Sequence, residues 1–434
     1  MSGHPVLGTD VVVLGLGAGG EHAARKLAQA GLDVVGVERD LVGGECPFWG
    51  CTPSKLLVHA AHERRGWPSA AARIREANHD WSDHTHAQPL EEAGVRLVRG
   101  TGRLAGPGRV EVDGTTYDAR LGVLLDTGTD PAVPDLPGLA GTPYWTNRDV
   151  VRQTDAPASL VVLGGGPIGC ELAQAAARLG SRVRVVEPTD RLLGNEEPEA
   201  SEVVARVLAA EGVEVHLGSA PVAVRHSDGF EVDLAGATIA AEHLLVATGR
   251  RTNLGDVGLE TVGLDPGADH LATDERMRAG DRLWAVGDIT GHGDHTHLAL
   301  YQAQVAVRDL LGEDGPWADH HAVSRVTFTD PEVGAVGMTE EQARSAGLRV
   351  AVGHADVPRS SRGWIAEAEG VVKVVADADR GVLVGATVVA PYGGEVLGLL
   401  SVAVHAAVPV ETLRGVHYAY PTFHRAIAAA LDDL

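Results

Sequence analysis

Apolar positions near the start of the chain form two runs, separated by a glycine-rich turn and a helical stretch. Residues 10–14 are mostly apolar, as expected of a parallel strand that is covered on both faces. The alanine-rich residues from about 20 to 30 have helical character, Gly31 ends that helix, and residues 33–38 form the second apolar run. This order of strand, turn, helix and strand predicts a β-α-β unit.

The same order of elements returns about 150 residues later in the chain. Residues 160–164 predict a strand, residues 170–179 a helix and residues 182–187 another strand. Two such units so far apart predict two nucleotide-binding domains rather than a solenoid repeat.

A different pattern begins after about residue 323. Valine-rich runs separated by Gly and Asp predict antiparallel strands, and helices are expected near residues 396–407 and 422–431. These features predict a C-terminal α+β domain. Residues 66–94 are rich in His and Trp but have no clear period, so no structure is predicted for them.

Length and charge narrow the class of protein. A chain of 434 residues exceeds what one hydrophobic core usually organises, so several domains are expected. The net charge of −23 argues against nucleic-acid binding, which needs clustered Lys and Arg. No run approaches the roughly 18 apolar residues of a membrane helix, and the first residues lack the pattern of a signal peptide. A cytoplasmic protein without membrane contact is therefore expected.

Cysteine and lysine are both scarce. Three cysteines cannot form a disulfide framework, which fits a reducing compartment, yet Cys46 and Cys51 lie five positions apart. The lysines are Lys26, Lys55 and Lys373, and arginine supplies the other 33 of the 36 basic residues. A position that keeps lysine in this background indicates a need for a compact ammonium group.

The turn at residues 15–20 matches the dinucleotide-binding pattern G-x-G-x-x-G. Gly15 allows the tight turn, Gly17 lets the backbone approach a diphosphate, and Gly20 permits close packing of helix on strand. Glu38 ends the second strand, where a carboxylate accepts a hydrogen bond from an adenosine ribose. A tight connection without a ligand is the weaker interpretation, because strand, helix and acidic strand end all accompany the turn.

A second turn of this kind consists of Gly164, Gly166 and Gly169, and Glu187 follows 18 residues after its last glycine. Two such turns predict two dinucleotides, for which FAD and a nicotinamide cofactor are the usual pair. The spacing alone does not decide which turn binds which.

Residues 43–55 carry the most specific motif. The run reads Gly43-Gly-Glu-Cys46-Pro-Phe-Trp-Gly-Cys51-Thr-Pro-Ser-Lys55. It resembles the signature G-G-x-C-x-N-x-G-C-x-P-S-K of the class I pyridine nucleotide–disulfide oxidoreductases, such as glutathione reductase, dihydrolipoamide dehydrogenase and mercuric reductase. Two buried cysteines without redox chemistry are the alternative interpretation.

The resemblance extends over most of the chain. Ala247-Thr-Gly-Arg250, followed by Asn253, resembles the family's A-T-G-R-x-P-N segment, and residues 126–128 (Asp-Thr-Gly) stand at the equivalent earlier position. Residues 285–288 (Ala-Val-Gly-Asp) resemble the segment whose aspartate binds the flavin ribityl chain. Residues 327–337 resemble the start of the family's dimerisation domain.

The resemblance implies an α/β fold with two Rossmann-like domains and a C-terminal α+β dimerisation domain. The implied boundaries are 1–150 with 255–320 for FAD, 151–254 for NAD(P) and 321–434 for dimerisation, in a homodimer that shares its active site across the interface. The residues implied at FAD are Gly15, Gly17, Gly20, Glu38, Gly44, Lys55, Thr127, Gly128, Gly287 and Asp288. Those implied at NAD(P)H are Gly164, Gly166, Gly169, Glu187 and Gly249.

The resemblance also implies roles in catalysis. Cys46 and Cys51 are expected to form a redox-active disulfide, with Cys51 facing the flavin and Cys46 exchanging with the substrate. A helix N-terminus at this pair would favour the thiolate. Lys55 is expected near the flavin, paired with Glu171, and an ordinary surface lysine is the alternative. Cys170 is interpreted as a small buried packing residue.

Two groups of histidines could suggest a metal site: His79, His84 and His86, and His292, His295 and His297. Their spacing fits no strong zinc pattern and no cysteine accompanies them. They are interpreted as loop histidines, some of the second group close to the flavin, and no metal is expected.

Three departures from the family pattern bear on the acceptor. Pro47, Phe48 and Trp49 make the segment between the cysteines bulky and apolar, and the segment after Lys55 is shorter than in the family.

The family ends with H-P-T-x-x-E, whose histidine is the acid–base partner of the exchanging thiol and whose glutamate orients it.

The third departure concerns that ending. Tyr420 and Arg425 stand in place of the histidine and the glutamate. Either His424 or His417 replaces the missing base, or the acceptor needs little proton transfer, or the thiols are vestigial. If this segment is helical, His424 lies on the same face as Tyr420 and is the better substitute.

The favoured hypothesis is an enzyme that passes electrons from NAD(P)H through FAD and Cys46–Cys51 to a disulfide-type small molecule. The alternatives are a quinone or metal-ion reductase, a transhydrogenase-like flavoenzyme, or a flavoprotein without turnover of its own. NADH is expected over NADPH because Glu187 would repel a 2′-phosphate, although arginines at 182, 184 and 191 flank that position.

Overall fold

The computed structural model describes residues 5–434, and the chain forms two compact units. The first unit comprises the residues up to Pro53, Arg73–Pro131 and Arg250–His320; the second comprises Ser54–Ala72, Ala132–Gly249 and His321–Leu434. The three-domain boundaries expected from the sequence stay a prediction.

The bounds of the elements are as follows. The helices are α1 (Ala18–Gln29), α2 (Glu45–Phe48), α3 (Cys51–His62), α4 (Trp67–Ala77), α5 (His84–Glu92), α6 (Asn147–Val150), α7 (Pro167–Arg178), α8 (Pro198–Ala210), α9 (Thr296–Leu310), α10 (Glu340–Ser345), α11 (Ser361–Ile365), α12 (Gly393–His405), α13 (Val410–Arg414) and α14 (His424–Asp432). Short 3-10 helices span Leu259–Val262, Gly287–Thr290 and Val357–Arg359. The strands are β1 (Val6–Leu14), β2 (Val34–Glu38), β3 (Arg96–Arg99), β4 (Gly102–Leu104), β5 (Arg109–Val112), β6 (Thr115–Leu125), β7 (Thr129–Pro131), β8 (Ser159–Leu163), β9 (Arg182–Val186), β10 (Glu214–His216), β11 (Pro221–His226), β12 (Phe230–Leu234), β13 (Ala237–Ala241), β14 (His243–Val246), β15 (Arg250–Thr252), β16 (Arg278–Gly280), β17 (Leu283–Ala285), β18 (Ser324–Thr327), β19 (Glu332–Gly337), β20 (Val350–Asp356), β21 (Val371–Asp377) and β22 (Val382–Ala390).

A mainly parallel sheet forms the first unit, with strands in the order β16-β17-β6-β1-β2-β3. β1 pairs in parallel with both β2 and β6, and β17 pairs in parallel with β6. The apolar run predicted as a strand is buried from Val11 to Leu14. Because parallel strands end at the same edge of a sheet, Gly15, Glu38, Asp126 and Gly287 come together at one edge.

A second parallel sheet lies in the second unit and has the order β10-β9-β8-β14. α7 begins three residues earlier than expected, because Pro167 occupies its first turn, where proline is favoured. The antiparallel strands β11, β12 and β13 share a core with this sheet through residues such as Val161, Val224 and Phe230. The parallel strands of this sheet end directly before Gly164, Glu187 and Ala247, which correspond to Gly15, Glu38 and Asp126 of the first sheet.

A five-stranded antiparallel sheet, ordered β18-β19-β22-β21-β20, forms the C-terminal part of the second unit. α12 packs on β19 and β22, and α14 packs on β20 and β21. The α+β character predicted for this region is confirmed. The helix expected from residue 422 begins instead at His424. Among residues 5–434, none of the helices has both the length and the apolar character that a membrane crossing requires.

The third lysine of the chain is a structural residue within the second unit. Lys373 on β21 is 4% exposed at its side chain, and its ammonium group lies 2.9 Å from each of three carboxylates. These belong to Glu197, Glu199 and Glu340. Burial alone would lower the pKa of Lys373, but these hydrogen bonds raise it above its ordinary value. A buried ammonium with three acceptors is therefore held in its charged form.

Residues 66–94, for which no structure was predicted, form α4 and α5. α4 buries Trp67, Ala70, Ala71 and Ile74, a helical spacing that was present in the sequence. Two of these four positions are alanines, which give little hydrophobic contrast, so the pattern was missed. α5 buries only two apolar side chains and carries a proline, and its period is weaker still.

Candidate active site

The first glycine turn is built by steric necessity. Gly15 has φ +89°, and a Cβ added there would lie 2.3 Å from the carbonyl oxygen of Asp126. A Cβ at Gly20 would lie 2.1 Å from the carbonyl oxygen of Gly15. No side chain fits at either position, so the start of α1 can approach β1 and β6 closely. The turn thereby presents the N-terminal N–H groups of α1 to the edge of the sheet, as a dinucleotide diphosphate requires.

Glu38 closes the same turn from the end of β2. Its Oε2 accepts a hydrogen bond from the N–H of Leu16 at 2.8 Å, and its Oε1 accepts one from the N–H of Asp40 at 2.8 Å. Burial raises the pKa of Glu38, although these two hydrogen bonds oppose the shift. The carboxyl group is thus fixed beside the turn, and its expected role as an acceptor for a ribose hydroxyl stays a prediction.

The other segments expected at FAD meet at this edge of the first unit. Asn253 joins the segment after Arg250 to the segment 126–128. Its side-chain amide donates a hydrogen bond to the carbonyl oxygen of Thr127 at 3.0 Å, and its backbone N–H donates one to the carbonyl oxygen of Gly128 at 2.9 Å. Thr129, which follows Gly128, contacts Asp288: its Oγ1 donates a hydrogen bond to Asp288 Oδ2 at 2.6 Å. Arg250 donates to the hydroxyl and the carbonyl of Thr129 and lies 3.3 Å from Glu45.

Sequence reasoning did not assign Thr129 or Arg250 to the site. Thr129 directly follows the recognised segment 126–128 and Arg250 is the last residue of the recognised segment 247–250, which is the signal that could have found them. Their hydrogen bonds connect β7, β15 and the 3-10 helix that begins at Gly287. These residues therefore position the aspartate that is expected at the flavin.

The second glycine turn repeats this geometry in the second unit. The N–H of Gly165 donates to Glu187 Oε2 at 2.7 Å, and Thr189 Oγ1 donates to Glu187 Oε1 at 2.7 Å. A Cβ added at Gly166 or at Gly249 would have no atom within 4 Å, so open space lies over the N-terminus of α7. Both turns fit a dinucleotide, with a glycine cradle, a helix N-terminus and an acidic strand end.

The two cysteines of the motif belong to adjacent helices. Cys46 lies in the four-residue α2 and is half-buried, whereas Cys51 is the first residue of α3 and is exposed. The Cys51 sulfur lies 3.3 Å from Thr296 Oγ1, at the start of α9. A thiolate at the first position of a helix is stabilised by the helix dipole. Thr296 is a further contact that the sequence did not indicate.

The bulky residues between the cysteines are anchored by aromatic contacts within the first unit. Trp49 stacks on Trp81 with ring centroids 6.1 Å apart, and Phe48 meets His86 edge-on at 5.8 Å. The hydrogen bond that His86 donates to the Glu21 carboxylate raises the pKa of His86. The otherwise unassigned residues 81–86 therefore support the segment that joins the two cysteines.

Lys55 lies one turn after Cys51 in α3. Its ammonium group is 2.7 Å from Glu171 on α7, and it lies 4.7 Å above the ring of Phe328. The side chain of Glu171 is 5% exposed and also accepts a hydrogen bond from the N–H of Phe328 at 2.8 Å. The buried carboxylate thus holds the ammonium in one place. The part that Lys55 and Glu171 take in the chemistry stays a prediction.

The C-terminal segment differs from the conditional expectation for His424. Tyr420 lies in a turn before α14, and His424 is the first residue of that helix. The two residues therefore do not share a helical face, because the helix does not extend back to Tyr420. Tyr420 is 72% exposed, and its hydroxyl donates to Ser361 Oγ at 2.7 Å. It lines a groove of about 480 Å³ together with Arg425, whereas His424 is not among the residues of that groove.

The histidines expected to be loop residues lie on several kinds of element. His84 and His86 are in α5, and His297 is in α9. His292 stacks on His320 with ring centroids 3.7 Å apart. Within residues 5–434, no three His, Cys, Asp or Glu side chains are arranged to hold a metal ion. Cys170 is buried, as expected, and its thiol donates to the carbonyl of Gly165 at 3.2 Å.

Comparison with known proteins identifies the family. Residues 9–308 match the model of the pyridine nucleotide-disulphide oxidoreductases, and residues 323–431 match the dimerisation domain of that family. The chain is 33% identical to a mercuric reductase of Streptomyces lividans, over 98% of this chain and 95% of the relative. It is 33% identical to dihydrolipoyl dehydrogenase 2 of Haloarcula marismortui, over 99% and 98% of the two chains.

Solved structures show the same relationship. The Cu(II) complex of the HOCl-induced flavoprotein disulfide reductase RclA from Escherichia coli superposes with a TM-score of 0.87 at 27% identity, covering 98% of both chains. LpdA from Mycobacterium tuberculosis superposes with a TM-score of 0.86 at 27% identity, covering 98% of this chain and 99% of the other.

The two nucleotide-binding folds and the paired cysteines define an FAD-dependent oxidoreductase that uses a pyridine nucleotide. The chain belongs to the pyridine nucleotide-disulphide oxidoreductase family, and its C-terminal residues form the family's dimerisation domain. The fold class, the enzyme class and the pair of cofactors expected from the sequence are thereby confirmed.

Proposed function

We propose that the protein transfers two electrons from NADH, through FAD and a Cys46–Cys51 disulfide, to a small-molecule acceptor of the disulfide type. The observation that carries this proposal is the position of Cys51 at the start of α3, with Cys46 in the preceding short helix. In the overall reaction NADH, one proton and the acceptor disulfide give NAD⁺ and two thiols.

The chain's own residues would divide the work as follows. FAD, when bound, carries the electrons between the nicotinamide and the disulfide. Cys51, stabilised as a thiolate by the N-terminus of α3, would face the flavin, and Cys46 would attack the acceptor. Lys55, which Glu171 holds in place, would keep a positive charge close to the flavin. The mixed disulfide on Cys46 is resolved by Cys51, so the internal disulfide forms again.

The C-terminal segment would complete the active site of the other subunit in a homodimer. The match to the family's dimerisation domain and the high exposure of Tyr420 support this. Tyr420 would then lie opposite Cys46 of the partner subunit, in the place where the family pattern has a histidine. A phenol can donate a hydrogen bond there but exchanges protons poorly at neutral pH.

A second candidate acceptor is a thiophilic metal ion. The absence of the histidine and glutamate at residues 420 and 425 favours it, because reduction of a metal ion releases no thiolate that must be protonated. The names of two similar proteins point the same way, since one is a mercuric reductase and another was solved as a Cu(II) complex.

Anaerobic titration and an acceptor screen on the purified protein test the proposal. We expect reduction to take up more than two electrons per flavin, because the disulfide accepts a pair in addition to the flavin. We expect weak turnover of lipoamide and glutathione disulfide, and faster turnover of an unusual disulfide, a quinone or a mercuric or cupric ion. Uptake of only two electrons per flavin would contradict the proposal and favour a transhydrogenase-like enzyme.

We expect NADH to be preferred over NADPH. Glu187 would accept a ribose hydroxyl and repel a 2′-phosphate, and two of the three flanking arginines, Arg184 and Arg191, are engaged elsewhere. Arg191 donates to the carbonyl oxygen of Glu196 at 2.7 Å, and Arg184 donates to Glu214 at 2.8 Å. The ratio of kcat/KM for NADH to that for NADPH should favour NADH.

Glu187→Ala should lower that ratio about tenfold, since the repulsion and one hydrogen bond are worth roughly 1–2 kcal/mol. Asp190→Ala is the matched control, because it removes the same charge from an exposed position three residues away. A wild-type preference for NADPH, or an equal effect of the two variants, would refute the role assigned to Glu187.

A further inference from the structure

A buried carboxyl group occupies the centre of the first glycine turn. Asp126, directly after β6, is 7% exposed, and its Oδ2 accepts a hydrogen bond from the N–H of Gly20 at 2.7 Å. A Cβ added at Gly17 would lie 3.0 Å from Oδ2, and one added at Gly287 would lie 2.6 Å from Oδ1. The side chain thus touches both glycine segments that are expected to enclose FAD.

The second nucleotide-binding fold shows that this carboxyl is not needed to build such a turn. Ala247 stands at the equivalent position, after the strand that pairs with β8. The backbone contacts are the same in both folds. The N–H of Asp126 donates to Leu14 at 2.9 Å and that of Ala247 to Leu163 at 2.8 Å. Asp126 is therefore an addition to the first fold rather than part of its common framework.

The electrostatic surroundings of Asp126 are negative. Burial raises the pKa of its carboxyl well above the ordinary value, and the charges of Asp288 and Glu38 raise it further, although N–H groups of α1 oppose the shift. Glu38 faces it from the end of β2, Asp288 from the 3-10 helix, and α9 presents the apolar Ala299. A dinucleotide diphosphate at the same helix N-terminus adds two more negative charges.

Negative charges crowded into one buried space favour the neutral form of the most deeply buried group, and Asp126 is more deeply buried than Glu38 or Asp288. We propose that Asp126 is a further FAD-binding residue, which is protonated in the flavin-loaded protein and offers its proton as a hydrogen-bond donor toward the bound diphosphate. Its second oxygen keeps the hydrogen bond from Gly20. At a pH where Asp126 is ionised in the flavin-free protein, binding of FAD is then coupled to uptake of a proton.

Release of FAD from the purified holoprotein tests this inference without any measurement of turnover. The fluorescence of released flavin is followed between pH 5.5 and pH 8.5. We expect release from the wild type to quicken with pH, approaching tenfold per pH unit once Asp126 begins to ionise in the complex. Asp126→Asn has the same shape and no charge, so its release should be slow and independent of pH.

Two further variants sharpen the test. Asp126→Ala copies the second fold at Ala247, and should give a flat profile with faster release than the wild type at pH 5.5, because the donor is lost. Asp265→Asn removes an exposed carboxyl of the same unit and should keep the wild-type profile. Wild-type release that does not change with pH, or parallel profiles for the wild type and Asp126→Asn, would overturn the inference.

A measurement on the wild type alone covers the case in which the variants do not fold. In a weakly buffered solution at the pH where wild-type release begins to quicken, flavin release should set free up to about one proton per FAD. A value near zero at that pH would also overturn the inference. Neither experiment depends on the acceptor or on the cysteines, so its failure is distinct from a failure of the proposed electron transfer.

Discussion

Replacing Cys51 with serine should lower NAD(P)H-dependent turnover of disulfide acceptors by at least about a thousandfold, since it removes a nucleophile of the proposed mechanism. The same change should abolish the long-wavelength charge-transfer band that two-electron reduction of the wild type is expected to produce. Both effects follow from a thiolate at the start of α3 that faces the flavin. Anaerobic titration followed by visible absorbance measures the band, and steady-state kinetics measures turnover.

Cys46→Ser separates the roles of the two sulfurs. Without its partner, Cys51 cannot form the internal disulfide, so the charge-transfer band should be present before any reductant is added. Cys170→Ala is the matched control, because it removes a buried thiol from α7 and should leave the band of the wild type. If neither Cys46→Ser nor Cys51→Ser alters the spectrum, the assignment of a redox-active disulfide is wrong.

Tyr420→His should raise reduction of lipoamide or glutathione disulfide by about tenfold to a hundredfold, if the missing base limits the rate. A positioned acid–base group contributes about 10²–10⁴-fold to such reactions, and without the orienting glutamate only part of this is expected. Tyr420→His with Arg425→Glu should therefore exceed the single variant. The readout is kcat with each disulfide, together with its pH profile, which should gain a dependence near neutrality.

His424→Ala tests whether the enzyme already has a substitute base. His424 is the first residue of α14, and Tyr420 lies outside that helix. The two residues therefore do not share a helical face. We expect removal of His424 to change disulfide turnover by less than about threefold, as for a residue outside the reacting groups. If the wild type reduces lipoamide or glutathione disulfide robustly and His424→Ala does so as well, a missing base at residue 420 does not limit disulfide reduction.

The glycine turns and strand ends could be predicted because each rests on a local and strong constraint. Gly15 must have a positive φ with no room for a side chain, and the acidic residues at the end of β2 and directly after β9 follow at fixed spacing. Such constraints act within about forty residues, so a single sequence shows them. The cysteine motif adds specificity for the same reason.

Features that depend on distant contacts could not be predicted in this way. α4 is stabilised by burying Trp67 and Ile74 with two alanines, and alanine gives little contrast between faces of a helix. The start of α14 was placed two residues early, and the condition under which His424 would share a helical face with Tyr420 is not met, because the helix does not include Tyr420. The burial of Asp126 depends on α1 and on the 3-10 helix at Gly287, more than 100 residues away on either side.

Because lysine is scarce, an amine-reactive reagent can label only a few side chains of this protein. Lys373 is shielded by three carboxylates, so among the lysine side chains such a reagent meets only Lys26, which is exposed on α1, and Lys55. Lys55 is 36% exposed and is held by Glu171. Covalent labelling with an acylating probe could therefore report on Lys55, a residue expected at the active site, with the side chain of Lys26 as an internal reference, a ratio that a lysine-rich relative would not permit.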